Sequence, residues 1–205
     1  MKGTHSALIV RIMALLLIFL STSSVADEKH YALNGPNYNK DFHKILHDEK
    51  FRKWGKGIPN NLREIERVFG GRIRMVSKQN GIDPKLTAAI IAVESSGKPK
   101  LCSRSEACGL MQLKRIVAKE LKFKGNITQP WNNIWLGTKY LTTLRDRYGF
   151  TTIEWQLYAF NQGPTKAREM LRNGYKPSKD NYVKKVLFAL QAINEEGQLI
   201  ILAKQ

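Results

Sequence analysis

An all-α fold, a compact bundle of short helices, is what the 205-residue sequence predicts. From Leu62 onward, apolar residues recur at three- and four-residue spacing. Asp, Thr, Pro and Gly stand where helices start and stop. The period-two alternation that marks half-buried strands is scarce.

Taken in order, Asp41 to Trp54 reads as a short helix between two turn-rich stretches, Asn34-Gly35-Pro36 and Gly55 to Asn61. Leu62, Ile65, Val68 and Phe69 share one helical face, continued by Ile73 and Val76, with Gly70-Gly71 as a kink or break and Gly81 as the stop. Asp83 as N-cap and Pro84 at the first helical position open the next helix. It runs through Leu86 to Glu94 and ends at Ser95-Ser96-Gly97; its segment Ala88 to Val93 (AAIIAV) is apolar on every side, the pattern of an enclosed helix. After a polar loop to Glu106, Gly109 to about Leu121 reads as a helix. Pro130 to Tyr148 is a long amphipathic one with Ile134, Leu136, Tyr140, Leu141 and Leu144 inside, closed by Gly149. Thr151 and Glu154 have capping-box spacing and open a helix through Phe160, which Gly163-Pro164 breaks. Two more follow, near Thr165–Arg172 and Asp180–Asn194.

The N-terminus reads as an export signal over residues 1–26. Lys2 and Arg11 are its positive charges, Ile12 to Leu20 its short apolar run, and Ser24-Val25-Ala26 the small residues before cleavage. No later stretch is long enough to span a membrane, so the expected location is the periplasm or cell envelope. Loss of the signal lowers the net charge of +17 by two, to +15, and so basic a protein seeks polyanions. Lys and Arg are scattered rather than interleaved with aromatics, which argues against nucleic acid. Cys102 and Cys108 are close in sequence and read as a local disulfide in an oxidising compartment, with two free thiols as the alternative.

Glu94 is the most unusual residue. It ends a helix whose preceding six residues are all apolar. A carboxyl held against such a core is desolvated, which favours its neutral form and suits a general acid; the alternative is a side chain that turns outward where the helix frays. His43 and His47 have the i, i+4 spacing of metal ligands, but no third ligand is evident and no metal is expected. Trp131, Trp135 and Trp155 lie in amphipathic segments and read as core, with sugar stacking as the alternative.

From Glu94 the sequence runs ESSGKPKLCSRSEACGLMQL, followed by AFNQGP (Ala159 to Pro164) and NYVKKVL (Asn181 to Leu187). This order resembles the lysozyme-like lytic transglycosylases of the soluble murein transglycosylase type, which are related to goose-type lysozyme. Those proteins carry Glu-Ser, Gly-Leu-Met-Gln, Ala-Tyr-Asn-Ala-Gly and a late Tyr. The resemblance also takes in the Gly81 helix start and the Asn133-Ile134, Gly137 and Tyr140-Leu141 pattern. It implies a lysozyme-like bundle around a glycan-binding groove, and a division into signal (1–26), polar and partly helical extension (27–69), catalytic domain (70–192) and tail (193–205). It makes Glu94 the catalytic acid/base. Ser103, Met111, Gln112, Phe160, Asn161 and Tyr182 become substrate-site residues, with Tyr182 touching Glu94. Two departures stand out: Phe160 replaces a Tyr, and Gln162 a small Ala.

A glycosidase ordinarily uses two carboxylates, and the motif supplies one. The family's answer is assistance from the sugar N-acetyl group and attack by the muramic C6 hydroxyl. The product is a 1,6-anhydro end, made without metal or cofactor. The implied partner is the peptidoglycan glycan strand, with a wall-spanning secretion machinery as a further partner. A hydrolytic muramidase and a non-catalytic peptidoglycan-binding module are the competing readings.

Overall fold

A computed structural model describes residues 48–193. The signal segment, His43, His47 and the apolar tail Leu199 to Ala203 lie outside the described residues. Eight α-helices and one 3₁₀ turn follow one another: α1 (Glu49–Gly55), α2 (Ile58–Gln79), α3 (Pro84–Glu94), α4 (Arg115–Glu120), α5 (Pro130–Asp146), α6 (Ile153–Gln162), α7 (Pro164–Arg172), the turn Pro177–Lys179, and α8 (Asn181–Gln191). Only isolated bridges stand in for strands among the described residues. No described helix is long and apolar enough to cross a membrane.

Helix α3 is the centre, packed by α2 and by α8. Leu86, Ala89, Ile90, Ile91 and Ala92 are all buried. The Asp83 carboxylate caps it by accepting from the Lys85 N–H at 2.8 Å. The few polar side chains on α3 are matched: Ser77 Oγ of α2 meets Thr87 Oγ1 at 2.9 Å in the interior, as enclosed hydroxyls must.

Helix α2 corrects the expected kink. It passes through Gly70-Gly71 without a break and begins at Ile58, inside the stretch read as a turn. Two helical glycines cost roughly 1 kcal/mol each. Leu62, Ile65, Phe69, Ile73 and Val76 bury one continuous face on both sides of them, each contributing about 1.5–3 kcal/mol, so burial wins. Val68, expected on that face, points outward and is 48% exposed.

The helix expected at Gly109–Leu121 is only Arg115–Glu120. Residues 109–113 form a tight turn instead. Cys108 and Leu113 exchange N–H···O bonds, each 3.0 Å, across it, and Gly109 (φ 83°) and Gln112 (φ 45°) are left-handed. No right-handed helix accommodates those dihedrals. The cap of α6 is Thr152, whose hydroxyl accepts from Trp155 N at 3.4 Å, one residue later than the Thr151 expected. Trp131 corrects a third expectation: it is exposed, with the Arg72 guanidinium 5.4 Å from its ring. Trp135 stacks on Phe123, and Trp155 lies between Phe150 and Tyr158.

The burial pattern makes a contrast that chemical denaturation can read. Ile90→Ala should cost about 2–5 kcal/mol of unfolding free energy, whereas Val68→Ala should stay within about 0.5 kcal/mol. Equal effects would contradict the assigned faces of α3 and α2.

Candidate active site

Glu94 is the last residue of α3. The chain leaves the helix there through Ser95, Ser96 (φ 53°) and Gly97 (φ 79°), a rapid reversal that leaves the carboxyl at the rim of the core. The side chain is half-buried. Burial lifts its pKa from 4.5 to about 7, and the nearby Tyr182 hydroxyl opposes part of the rise. No neighbouring charge takes part. The negative end of the α3 dipole acts in the same direction as burial. At pH 7 an ordinary glutamate is roughly 0.3% protonated, whereas a pKa of about 7 leaves about half of the carboxyls holding a proton.

Tyr182 stands in the first turn of α8. Asp180 fixes that helix start, its carboxylate accepting from the N–H groups of Tyr182 and Val183 at 2.8 and 3.2 Å. The Tyr182 hydroxyl is fully buried and faces the Glu94 carboxyl, and burial together with that acid drives its own pKa well up. The two groups are close enough to interact, but no protein atom completes a well-aligned hydrogen bond to the hydroxyl oxygen. The phenol therefore remains a neutral donor beside the acid.

One side-chain bond joins the Glu94 corner to the 109–113 turn. Ser95 Oγ donates to Leu110 O at 2.8 Å, while its N–H closes α3 on Ile91 O. The turn is itself held from α5. Asn133, buried, accepts from Met111 N at 2.7 Å and donates to Cys108 O and Ile127 O at 3.0 and 2.6 Å. Gly109 has no room for a side chain, because an added Cβ would meet the Asn133 amide at 2.3 Å. At Gly137 a Cβ would meet Met111 Sδ at 2.3 Å, so α5 passes directly against Met111. Met111 is fully buried, and Gln112 donates to Leu101 O and Gly109 O.

The remaining predicted residues are dispersed. A disulfide joins Cys102 to Cys108. Ser103, inside that loop, has an exposed hydroxyl that accepts from Ala107 N and lies 3.1 Å from Ser105 Oγ, so its partners are those of its own loop. Phe160 packs on Tyr140 with ring centroids 5.7 Å apart, which keeps the aromatic contact without a hydroxyl. Gln162, the other departure, donates to Asn161 Oδ1 at 2.5 Å and so occupies the amide oxygen of a motif residue. Of the other nearby acids, Glu120 accepts from the Tyr148 hydroxyl at 2.6 Å, and Glu154 sits in the first turn of α6.

Sequence reasoning quoted Asn133 only as part of a pattern and gave Ser95 no role. The signal for Asn133 was an amide at a core position of an apolar helical face. Ser95 gave none beyond its place after Glu94.

The transglycosylase SLT domain model matches residues 72–183, more than half of the chain. The chain belongs to that family. Membrane-bound lytic murein transglycosylase C of Photorhabdus laumondii is 39% identical over 101 residues, 44% of this chain and 28% of that protein. Endo-type membrane-bound lytic murein transglycosylase A of Enterobacter sp. strain 638 is 46% identical over 74 residues, covering 31% and 36% of the two chains. Membrane-bound lytic murein transglycosylase E of Buchnera aphidicola is 39% identical over 99 residues, covering 42% and 47%. The SLT match thus spans less than half the length of each of these relatives. The 70 kDa soluble lytic transglycosylase of Escherichia coli superposes with a TM-score of 0.51 at 25% identity, over 60% of this chain and 23% of that one. An inactive glutamate-to-glutamine mutant of lytic transglycosylase Slt from Pseudomonas aeruginosa shares the fold, with a TM-score of 0.51 at 20% identity over 63% and 26%. The SLT domain here therefore has the all-α, lysozyme-like fold.

The raised Glu94 pKa has a stability consequence. A carboxyl whose folded pKa lies above its unfolded value favours folding fully below about pH 4.5, and that contribution is lost as pH rises to about 7. The loss is about 3 kcal/mol at most. Glu94→Gln should therefore be more stable than the wild type at pH 8 and gain little at pH 4.5, as read from melting temperatures across that range. A gain independent of pH would contradict the shift.

Proposed function

We propose that this protein is a peptidoglycan lytic transglycosylase, exported to the periplasm or cell envelope, with Glu94 as its single acid/base. The observation that carries the reading is a lone carboxyl, lifted to a pKa of about 7 by burial, at the start of the motif series of the SLT domain family. The names of its relatives as murein transglycosylases support the substrate.

Glu94, protonated, gives its proton to the glycosidic oxygen between N-acetylmuramic acid and N-acetylglucosamine, and that bond breaks. The muramic N-acetyl oxygen bonds to C1 and holds the positive charge that a second carboxylate would otherwise face. Glu94, now ionised, takes the proton from the C6 hydroxyl as its oxygen attacks C1 and displaces the N-acetyl oxygen. The product is a 1,6-anhydro ring, no water is consumed, and Glu94 is protonated again. A pKa near 7 suits both halves of the cycle, since the same group must release a proton and then recover one. Tyr182, a neutral donor beside the carboxyl, supports the ionised state midway. Met111, Gln112, Phe160, Asn161 and Ser103 are proposed to line the glycan groove. Cutting of this kind would also open the wall for a wall-spanning secretion machinery.

Digestion of purified sacculi tests the reading. The wild type should release muropeptides lighter by one water than hydrolytic products, and Glu94→Gln should lower the rate at least about 100-fold. Products carrying the water would convert the reading to a muramidase. Undiminished cutting by Glu94→Gln would remove Glu94 from the chemistry, and binding of sacculi without cleavage would leave a peptidoglycan-binding module.

The pH profile supplies a second test. Because the initial step needs the protonated acid, kcat/KM should fall about tenfold per pH unit well above pH 7. A profile flat from pH 6 to 9 would contradict the assignment.

A further inference from the structure

Helix α1 and the first half of α2 precede residues 72–183, the span that matches the family model, yet both pack on elements that carry the candidate site. Phe51 of α1 is buried against Phe188 of α8, and Trp54 packs on the same pair. The Trp54 and Phe188 rings meet edge-on, with centroids 6.1 Å apart. Gly55 ends α1 where an added Cβ would meet Phe188 Cε1 at 2.2 Å, so the helix end lies directly on that ring. Lys184 and Lys185 complete the seat, their ammonium groups 5.8 Å from the Phe51 ring and 5.1 Å from the Trp54 ring. Helix α8 thus packs on α3 and α6 and, through this seat, on α1. Tyr182 stands in the first turn of the same helix, about 9 Å along its axis from Phe188, and faces Glu94. On the other side of the acid, Ile65 of α2 is fully buried against the reversal that follows Glu94. A Cβ at Gly97 would meet Ile65 Cγ1 at 2.9 Å, and Gly97 is itself at φ 79°, so that position is closed to a side chain on both counts.

We propose that α1 and the first half of α2 form a brace that positions the Glu94–Tyr182 pair, with Phe51, Trp54 and Ile65 as its positioning residues. They act through others. Phe51 and Trp54 seat α8 by way of Phe188, and Ile65 seats the reversal by way of Gly97. Without the brace the first turn of α8 would keep the Asp180 cap, and water would gain access between that turn and the acid. Burial is the larger influence on the Glu94 carboxyl and the Tyr182 hydroxyl the smaller, opposing one; no charge from α2, α8 or the 109–113 turn is among them. Asp180 acts on Tyr182. A wetter carboxyl therefore ionises at lower pH. The inference rests on the reading of Glu94 as the acid/base of a murein-cutting enzyme.

The test uses the mature chain and two readouts. One is titration of the Glu94 carboxyl by carbon NMR, its signal identified by its absence from Glu94→Gln. The other is kcat and KM on soluble glycan strands. Phe51→Ala combined with Trp54→Ala should move the midpoint from about 7 toward 4.5 and lower kcat severalfold, with KM little changed. Trp54→Phe, which keeps a ring on Phe188, should match the wild type. Gly55→Ala, ordinarily a helix-stabilising exchange, should act like the double variant because its methyl displaces Phe188, and it decides the matter if the double variant does not fold. Phe150→Leu, which loosens a buried ring stacked on Trp155, controls for stability. A midpoint or a kcat equal to that of the wild type in the double variant, or in Gly55→Ala where that alone folds, would overturn the proposal. So would an equal change in Phe150→Leu at the same loss of melting temperature. Absence of cleavage by the wild type would instead overturn the enzymatic reading, and the NMR midpoints would still decide the brace.

Discussion

Helix α3 has almost no polar face, and the rest of the described chain is arranged around that fact. Ala89 to Ala92 are buried on every side, and α2 and α8 pack against the helix that carries them. The same enclosure removes water from Glu94, because the carboxyl is attached to the last residue of the buried helix. Desolvation is the largest cause of its raised pKa. Folding and acidity are therefore coupled at one position. The packing that stabilises the bundle destabilises the ionised acid, so the carboxyl there holds its proton up to near neutrality.

The segment tied to the Glu94 corner is a turn rather than a helix, and it is over-determined. Ser95 holds it from α3, Asn133 from α5, and the paired Cys108 and Leu113 bonds close it. Asn133 satisfies both N–H donors and its carbonyl in one buried place, so each half of the network supports the other. Gly109 and Gly137 are there because backbone and helix approach too closely for any side chain.

The sequence made the helices legible wherever burial was one-sided or complete, as in α3 and α5, because apolar spacing reports that burial directly. It failed at Gly70-Gly71, where local propensity pointed to a break and a continuous buried face overruled it. It failed again at 109–121, where apolar residues in a helical rhythm are held in a left-handed turn by partners 20 and more residues away, a long-range constraint that no local pattern encodes. Glu94 could be singled out from its apolar neighbours alone. Tyr182 could not, since nothing within 80 residues of sequence connects it to α3; its place came from motif order.

The two motif departures now have physical content. A phenylalanine at 160 keeps its ring on Tyr140 and omits only a hydroxyl, so the aromatic packing is kept while a polar group is absent. Gln162 acts in the opposite sense. An alanine would leave the Asn161 amide oxygen without that partner, whereas the glutamine amide holds it at 2.5 Å, a bond that any other donor would displace at a cost of about 1 kcal/mol. The first change removes a polar group from α6, and the second occupies one that α6 would otherwise offer.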